Sequence, residues 1–118
     1  MGIPNMDELQ RGLEISLHGP AREQALTACA RILTDWDIAM PTGPPLVLDF
    51  GLGAFASTGL IEYWIANEAA AGYCAKYLFV FDGQTCPEHH HGRKMETFFI
   101  VKGRVRMRLD GDVREMGA

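Results

Sequence analysis

The leucines near the start of the chain recur every four residues, which predicts a first helix. They lie on one face of that helix: Leu9, Leu13 and Leu17. Asn5 and Glu8 are spaced as in a capping box and mark its beginning. The tripeptide His18-Gly19-Pro20 predicts its end, because glycine and proline interrupt helices.

A second helix is predicted from Pro20, because proline fits the first turn of a helix. Its apolar face comprises Leu26, Cys29, Leu33 and Trp36. The segment Pro41-Thr42-Gly43-Pro44-Pro45 then breaks the helical pattern. We therefore assign residues 1–45 to an N-terminal helical extension.

After this break the hydrophobic pattern becomes that of β-strands. Segments rich in β-branched and aromatic residues, separated by glycines, predict strands at Leu46–Phe50, Gly59–Ala66, Tyr73–Phe81 and Thr97–Val101. Apolar residues then alternate with Arg104, Arg106 and Arg108, and Asp110-Gly111 predicts a tight turn into Asp112–Met116. The arginines form either a solvated outer face or a stripe that binds substrate or a partner.

Composition restricts the class of protein. The chain has 118 residues, enough for one domain, and a net charge of −4 without a basic cluster, which argues against a nucleic-acid partner. No run of about 18 apolar residues predicts a membrane span, and the N-terminus lacks a signal-peptide pattern. Three cysteines without paired spacing predict free thiols in the cytoplasm.

The candidate chemistry lies between Gly83 and Gly103. His89 and His91 are two residues apart, so in a strand both imidazoles point to one face. A reversal of the chain before Glu96 would bring its carboxylate to the same point. Two imidazoles and a carboxylate suit Mn²⁺, Fe²⁺, Zn²⁺ or Ni²⁺. The alternatives are a polar loop with exposed histidines, or a site that includes Cys86.

The spacing of Gly83, His89-His90-His91, Glu96 and Gly103 resembles the first motif of the cupin superfamily. This resemblance implies a mainly β fold: a cupin barrel (double-stranded β-helix, or jelly roll) over residues 46–118, preceded by the helical extension. It also implies that His89, His91 and Glu96 bind the metal inside the barrel. The chain ends at Ala118 before a second cupin motif, so we expect the barrel to be incomplete.

A narrower resemblance is to the D-lyxose ketol-isomerase-like sugar isomerases. It is carried by Tyr73-Cys74-Ala75-Lys76, by Gly83-Gln84 and by the His89-x-His91-x-x-Lys94-x-Glu96 pattern. It implies an aldose–ketose isomerase with Mn²⁺ as the expected metal, a free sugar such as D-lyxose or D-mannose as substrate, and a catalytic role for Lys94. Lys76 either lines the pocket or faces outward.

The sequence after Glu96 departs from those isomerases, which keeps two other functions open. One is an Fe²⁺-dependent cupin dioxygenase, and the other is a cupin that binds a sugar or metabolite without turnover. We expect a homodimer, because twofold oligomers are common and an incomplete barrel has an open edge.

Overall fold

The computed structural model describes residues 8–87 and 96–118. The chain divides into two compact units, residues 1–88 and 89–118. The elements of the first unit are α1 (Glu8–Glu14), α2 (Gly19–Asp35), β1 (Leu46–Leu48), β2 (Leu60–Glu68) and β3 (Tyr73–Phe79). A 3₁₀ turn, Ala69–Ala71, connects β2 to β3. The described elements of the second unit are β4 (Arg104–Leu109) and β5 (Asp112–Gly117).

Helix α1 is shorter than the leucine spacing predicts. It ends at Glu14, and the next three residues lie antiparallel to β1. The Leu17 amide donates to the Val47 carbonyl at 2.7 Å, and the Phe50 amide donates to the Ile15 carbonyl at 3.1 Å. The predicted helical position of Leu17 is wrong, because residues 15–17 pair with β1 and this pairing, in place of a further helical turn, satisfies their backbone groups. Asn5, the predicted cap, lies outside the described residues.

Helix α2 confirms the prediction for this segment. Cys29 and Leu33 are buried, and Leu26 and Trp36 pack at the margin of the same cluster. The helix ends in a Schellman motif, in which the amides that follow it donate back to the carbonyls of the last turn. Asp37 adopts a φ of 57°, and its amide donates to Thr34 at 3.0 Å.

The three strands of the first unit form an antiparallel sheet in the order β1-β2-β3. Side chains alternate between its two faces, so one sheet supports two apolar clusters. The α2 face carries Val47, Ile61, Tyr63 and Phe79. The α1 face carries Leu46, Leu48 and Leu60, with Leu9 and Ile15 packed against them. A β-bulge in β2 shifts the register with β3 between Trp64 and Ala66.

The described part of the second unit is a β-hairpin. Strands β4 and β5 pair antiparallel, and Asp110 and Gly111 turn the chain with φ values of 49° and 85°. This confirms the predicted two-residue turn. The predicted strand Thr97–Val101 is wrong, because residues 96–101 have no regular secondary structure. A strand requires a hydrogen-bonded neighbour, and none of the residues described in this unit pairs with that segment.

Antiparallel sheets and few helices confirm the predicted mainly β class. The closed jelly-roll barrel stays a prediction, as does the division at residues 45 and 46. Within the residues that the structure describes, no helix is long and apolar enough to cross a membrane.

Candidate functional site

The predicted metal and catalytic residues lie mostly outside the described part of the chain: His89, His91 and Lys94 all fall within residues 88–95. Glu96 is described, and its side chain is exposed in a segment without regular secondary structure. Across residues 8–87 and 96–118, no three His, Cys, Asp or Glu side chains are grouped as metal ligands. The metal centre therefore stays a prediction.

The structure does describe how the chain approaches the motif. After β3 the chain turns at Gly83, which has a φ of 84°, and the Gln84 side chain bridges this turn to another loop. Gln84 Oε1 accepts a hydrogen bond from the Phe81 amide at 2.9 Å. Gln84 Nε2 donates to the Phe55 carbonyl. Gln84 thus joins the segment before the motif to the loop between β1 and β2.

Backbone hydrogen bonds extend this connection toward the motif. The Thr85 amide donates to the Ser57 carbonyl at 2.9 Å, and the Gly59 amide donates to the Thr85 carbonyl at 3.1 Å. Gly59 has no room for a side chain, because a Cβ there would lie 2.6 Å from the Leu48 carbonyl oxygen. Gly59, Gly83 and the side-chain amide of Gln84 therefore fix the backbone path of residues 83–85.

A buried ion pair lies on the α1 face of the sheet. Lys76 Nζ lies 3.0 Å from Glu62 Oε2, and the two side chains are only 15% and 10% exposed. Glu62 stands opposite Leu46 on one side and Leu78 on the other, in a face that is otherwise apolar around it. A charge in such a place requires a partner, because desolvation strongly disfavours an isolated charge.

Helix α1 passes close over the carboxylate. A Cβ built at Gly12 would lie 2.7 Å from Leu46 Cδ1 and 3.8 Å from Glu62 Oε1. The absence of a side chain at Gly12 therefore lets the helix backbone approach the sheet next to Glu62. This close approach helps to exclude water from the ion pair and strengthens the attraction between its charges.

Trp64 completes this polar cluster. It stands opposite Lys76 in the register of β2 and β3, and Lys76 Nζ lies 4.7 Å from the centroid of its ring. This is a cation–π geometry. The Trp64 Nε1 atom is buried, and no described residue accepts a hydrogen bond from it. We call Glu62, Lys76 and Trp64 the Glu–Lys–Trp cluster.

The α2 face holds a second pair of titratable groups. Cys29 Sγ lies 3.6 Å from the Tyr63 hydroxyl, and both residues are buried. Burial raises the pKa of the Cys29 thiol, although the hydrogen bond to Tyr63 lowers it in part. Burial, and then the hydrogen bond that the Tyr63 hydroxyl makes with Cys29, raise the pKa of the Tyr63 phenol. Both groups are thus neutral near pH 7 and belong to the core between α2 and the sheet.

Sequence reasoning left Lys76 between a pocket-lining and an outward-facing position, and it did not single out Glu62 or Trp64. The structure places all three on one face of the sheet. A signal for Glu62 was present, because it is the only charged residue between Leu60 and Ala66 in an otherwise apolar and aromatic run. Pairing it with Lys76 requires the register of β2 against β3, which sequence spacing alone does not determine.

Comparison with known proteins identifies one family. The model of the D-lyxose isomerase family matches residues 27–110. A D-lyxose/D-mannose isomerase of Thermosediminibacter oceani is 44% identical over 75 residues, which cover 58% of this chain and 40% of that protein. A D-lyxose ketol-isomerase of Cohnella laeviribosi is 43% identical over 72 residues, 56% of this chain and 38% of that protein.

A third relative, a D-lyxose ketol-isomerase of a Thermofilum species, is 42% identical over 72 residues, 55% of this chain and 38% of that protein. The matched part of this chain thus spans about two fifths of the length of these curated relatives. No solved structure matches the chain.

Proposed function

This chain belongs to the D-lyxose isomerase family, and we propose that it forms part of a metal-dependent aldose–ketose isomerase acting on a free sugar such as D-lyxose or D-mannose. The observation that carries the proposal is the family match over residues 27–110, which includes every residue of the His-x-His-x-x-Lys-x-Glu pattern. The names of the relatives, which include both D-lyxose and D-mannose, support this choice of substrates.

The donor set of the pattern fits a divalent cation. His89 and His91 offer imidazole nitrogens, and Glu96 offers a carboxylate on an exposed side chain, a combination that suits Mn²⁺ as well as Zn²⁺, Fe²⁺ or Ni²⁺. We propose Mn²⁺ as the native metal. When bound, the cation would supply Lewis acidity toward the sugar oxygens.

Lys94 is our candidate for the group that handles the proton or the developing negative charge. Aldose–ketose isomerisation moves a proton between two neighbouring carbons and places negative charge on the oxygens they carry. A lysine two residues before Glu96 brings a cation and three N–H donors to the pattern. Such a donor stabilises an oxyanion and can return a proton to it.

The sheet of the first unit supports the proposal independently of the pattern. The Glu62–Lys76 ion pair is buried in a face that is otherwise apolar around it. A buried ion pair contributes little net stability compared with two apolar side chains of similar volume. Net stability alone therefore does not explain the Glu62–Lys76 pair, which agrees with a functional role for this face of the sheet.

The test combines metal content with turnover. We expect the purified chain, loaded with Mn²⁺, to hold about one ion per copy, and the complete barrel to convert D-lyxose or D-mannose to the corresponding ketose. The double variant His89→Ala/His91→Ala removes two of three protein ligands, so we expect it to lose both the ion and the conversion. Lys94→Met should retain the ion and lose conversion by about 10²–10⁴-fold.

Two matched controls separate the pattern from general histidine effects. His90→Ala removes the neighbour that alternation places on the other face, and His18→Ala removes an exposed histidine that is distant from the pattern in sequence. Both should retain the ion. Equal metal loss in His90→Ala and in the double variant would argue against the proposed ligand set. Sugar binding without conversion by any metal-loaded sample would favour a binding protein over an enzyme.

A further inference from the structure

We propose that Trp64 Nε1 is a hydrogen-bond donor to a hydroxyl oxygen of a polyol ligand, so that the Glu–Lys–Trp cluster forms a hydroxyl subsite on the α1 face of the sheet. The identification of that polyol as a sugar rests on the proposed function. The proposal assigns a ligand contact to a residue that lies outside the His-x-His-x-x-Lys-x-Glu pattern.

The first observation is the unpartnered nitrogen itself. Trp64 Nε1 is buried, and the described residues offer it no acceptor, whereas buried indole nitrogens usually have one. Trp64 as a whole residue is half-buried. A ligand oxygen that reached this atom would satisfy a donor that the described part of the chain leaves unsatisfied.

The second observation is that the ring is held in place. Lys76 Nζ lies 4.7 Å from the ring centroid, and Glu62 holds that ammonium at 3.0 Å. The positive charge beside the ring also makes Nε1–H a stronger donor, because it draws electron density from the indole. A fixed and polarised donor loses little entropy when a ligand binds.

The third observation is the bulge. The register of β2 against β3 shifts between Trp64 and Ala66, at the residue that carries the unpartnered donor. Bulges interrupt the pairing of a sheet and redirect side chains, and they occur often beside functional sites. The bulge, the ion pair and the unpartnered nitrogen thus coincide at one position of the sheet.

The charge of the cluster selects the class of ligand. Glu62 and Lys76 neutralise each other, so the cluster has no net charge with which to attract an anion. A carboxylate this close would also repel one. A hydroxyl group is neutral, and its oxygen accepts a hydrogen bond from Nε1 while its proton remains available for another acceptor. A polyol therefore fits the cluster better than a phosphate or a carboxylate.

The two indole N–H resonances provide a direct test. The chain has two tryptophans, Trp36 and Trp64, and Trp36→Phe and Trp64→Phe assign their signals in a nitrogen–proton NMR spectrum. The chain is titrated with D-lyxose and, separately, with xylitol, a polyol that has no carbonyl group to isomerise. We expect both ligands to shift the Trp64 resonance downfield and to leave that of Trp36 unchanged.

Affinity provides the second readout. Trp64→Phe retains the ring and removes only the N–H, so we expect it to weaken binding of both polyols by about threefold to tenfold. Trp36→Phe is the matched control and should bind as the unmodified chain does. An unchanged Trp64 resonance at saturating polyol, or equal affinities in both variants, would overturn the subsite. If Trp64→Phe does not fold, the response of the Trp64 resonance to polyol in the unmodified chain still tests the subsite, because Trp36→Phe assigns that resonance.

Different results would contradict the proposed subsite and the proposed isomerase activity. Xylitol binding that shifts the Trp64 resonance, in a complete barrel that converts no sugar with any metal, supports the subsite and removes the enzyme. Sugar conversion with a Trp64 resonance that never moves supports the enzyme and removes the subsite.

Discussion

Lys76 Nζ and Glu62 Oε2 lie 3.0 Å apart on neighbouring strands. Lys76 stands directly opposite Trp64, so it reaches Glu62 along the diagonal of the sheet. Because both side chains are largely buried, water cannot fully solvate either charge if its partner is removed. The pair therefore behaves as a unit, and removing one member has consequences different from removing both.

Removing one charge should destabilise the fold strongly. Lys76→Met leaves Glu62 buried without its partner, so we expect the free energy of unfolding to fall by about 3 kcal/mol in urea denaturation. The double variant Glu62→Leu/Lys76→Met should recover to within about 1 kcal/mol of the unmodified chain. Lys102→Met, at an exposed lysine, should have no measurable effect. Additive losses in the double variant would show that the two charges do not stabilise each other.

Gly59 should not tolerate a methyl group. Its Cβ would lie 2.6 Å from the Leu48 carbonyl oxygen and 2.6 Å from Phe55 Cδ1. The backbone oxygen cannot move without disturbing β1, so we expect Gly59→Ala to lower the free energy of unfolding by about 2–3 kcal/mol. Gly43→Ala is the control, since no atom lies within 4 Å of a Cβ there. Equal stability of the two variants would contradict the close approach at Gly59.

Gln84 acts through both ends of its amide. Gln84→Glu retains an acceptor for the Phe81 amide but replaces the donor to the Phe55 carbonyl with a negatively charged oxygen. We expect a loss of about 1–3 kcal/mol in the free energy of unfolding at pH 7. The same substitution at exposed Gln24 on α2 should be neutral. A loss at Gln24 as large as that at Gln84 would mean that added charge, and not the bridging amide, is responsible.

The Cys29–Tyr63 pair should make the fold sensitive to alkaline pH. Burial raises the pKa of Cys29 above its ordinary value of 9.0 and the pKa of Tyr63 above its ordinary value of 10.0. The folded chain therefore keeps protons that the unfolded chain loses. The resulting stabilisation is complete below about pH 9 and decreases as the pH rises toward the raised pKa values.

Urea denaturation between pH 7 and pH 11 measures this effect. Tyr63→Phe removes one of the two groups, so its free energy of unfolding should decline less steeply above pH 10 than that of the unmodified chain. Tyr73→Phe, at a tyrosine that is 58% exposed, should leave the slope unchanged. Identical slopes for Tyr63→Phe and the unmodified chain would show that the phenol does not titrate differently in the two states.

Elements with a strong local signal were predictable from the sequence. The apolar face of α2 and the Asp110-Gly111 turn both match the structure, because periodicity and positive φ values are properties of a few consecutive residues. The predicted strand Thr97–Val101 failed for the opposite reason. Its apolar residues indicate strand propensity, whereas a strand also requires a neighbour at hydrogen-bonding distance.

The sequence by itself determined the order of the helices and strands, apart from the predicted strand Thr97–Val101, and the pattern of candidate ligands at His89, His91 and Glu96. The tertiary structure decided that Ile15–Leu17 leave the helix to pair with β1, and that Glu62, Lys76 and Trp64 meet on one face. These contacts join residues far apart in the chain. They depend on the register between strands, which local propensity leaves open and which the packing of both sheet faces selects.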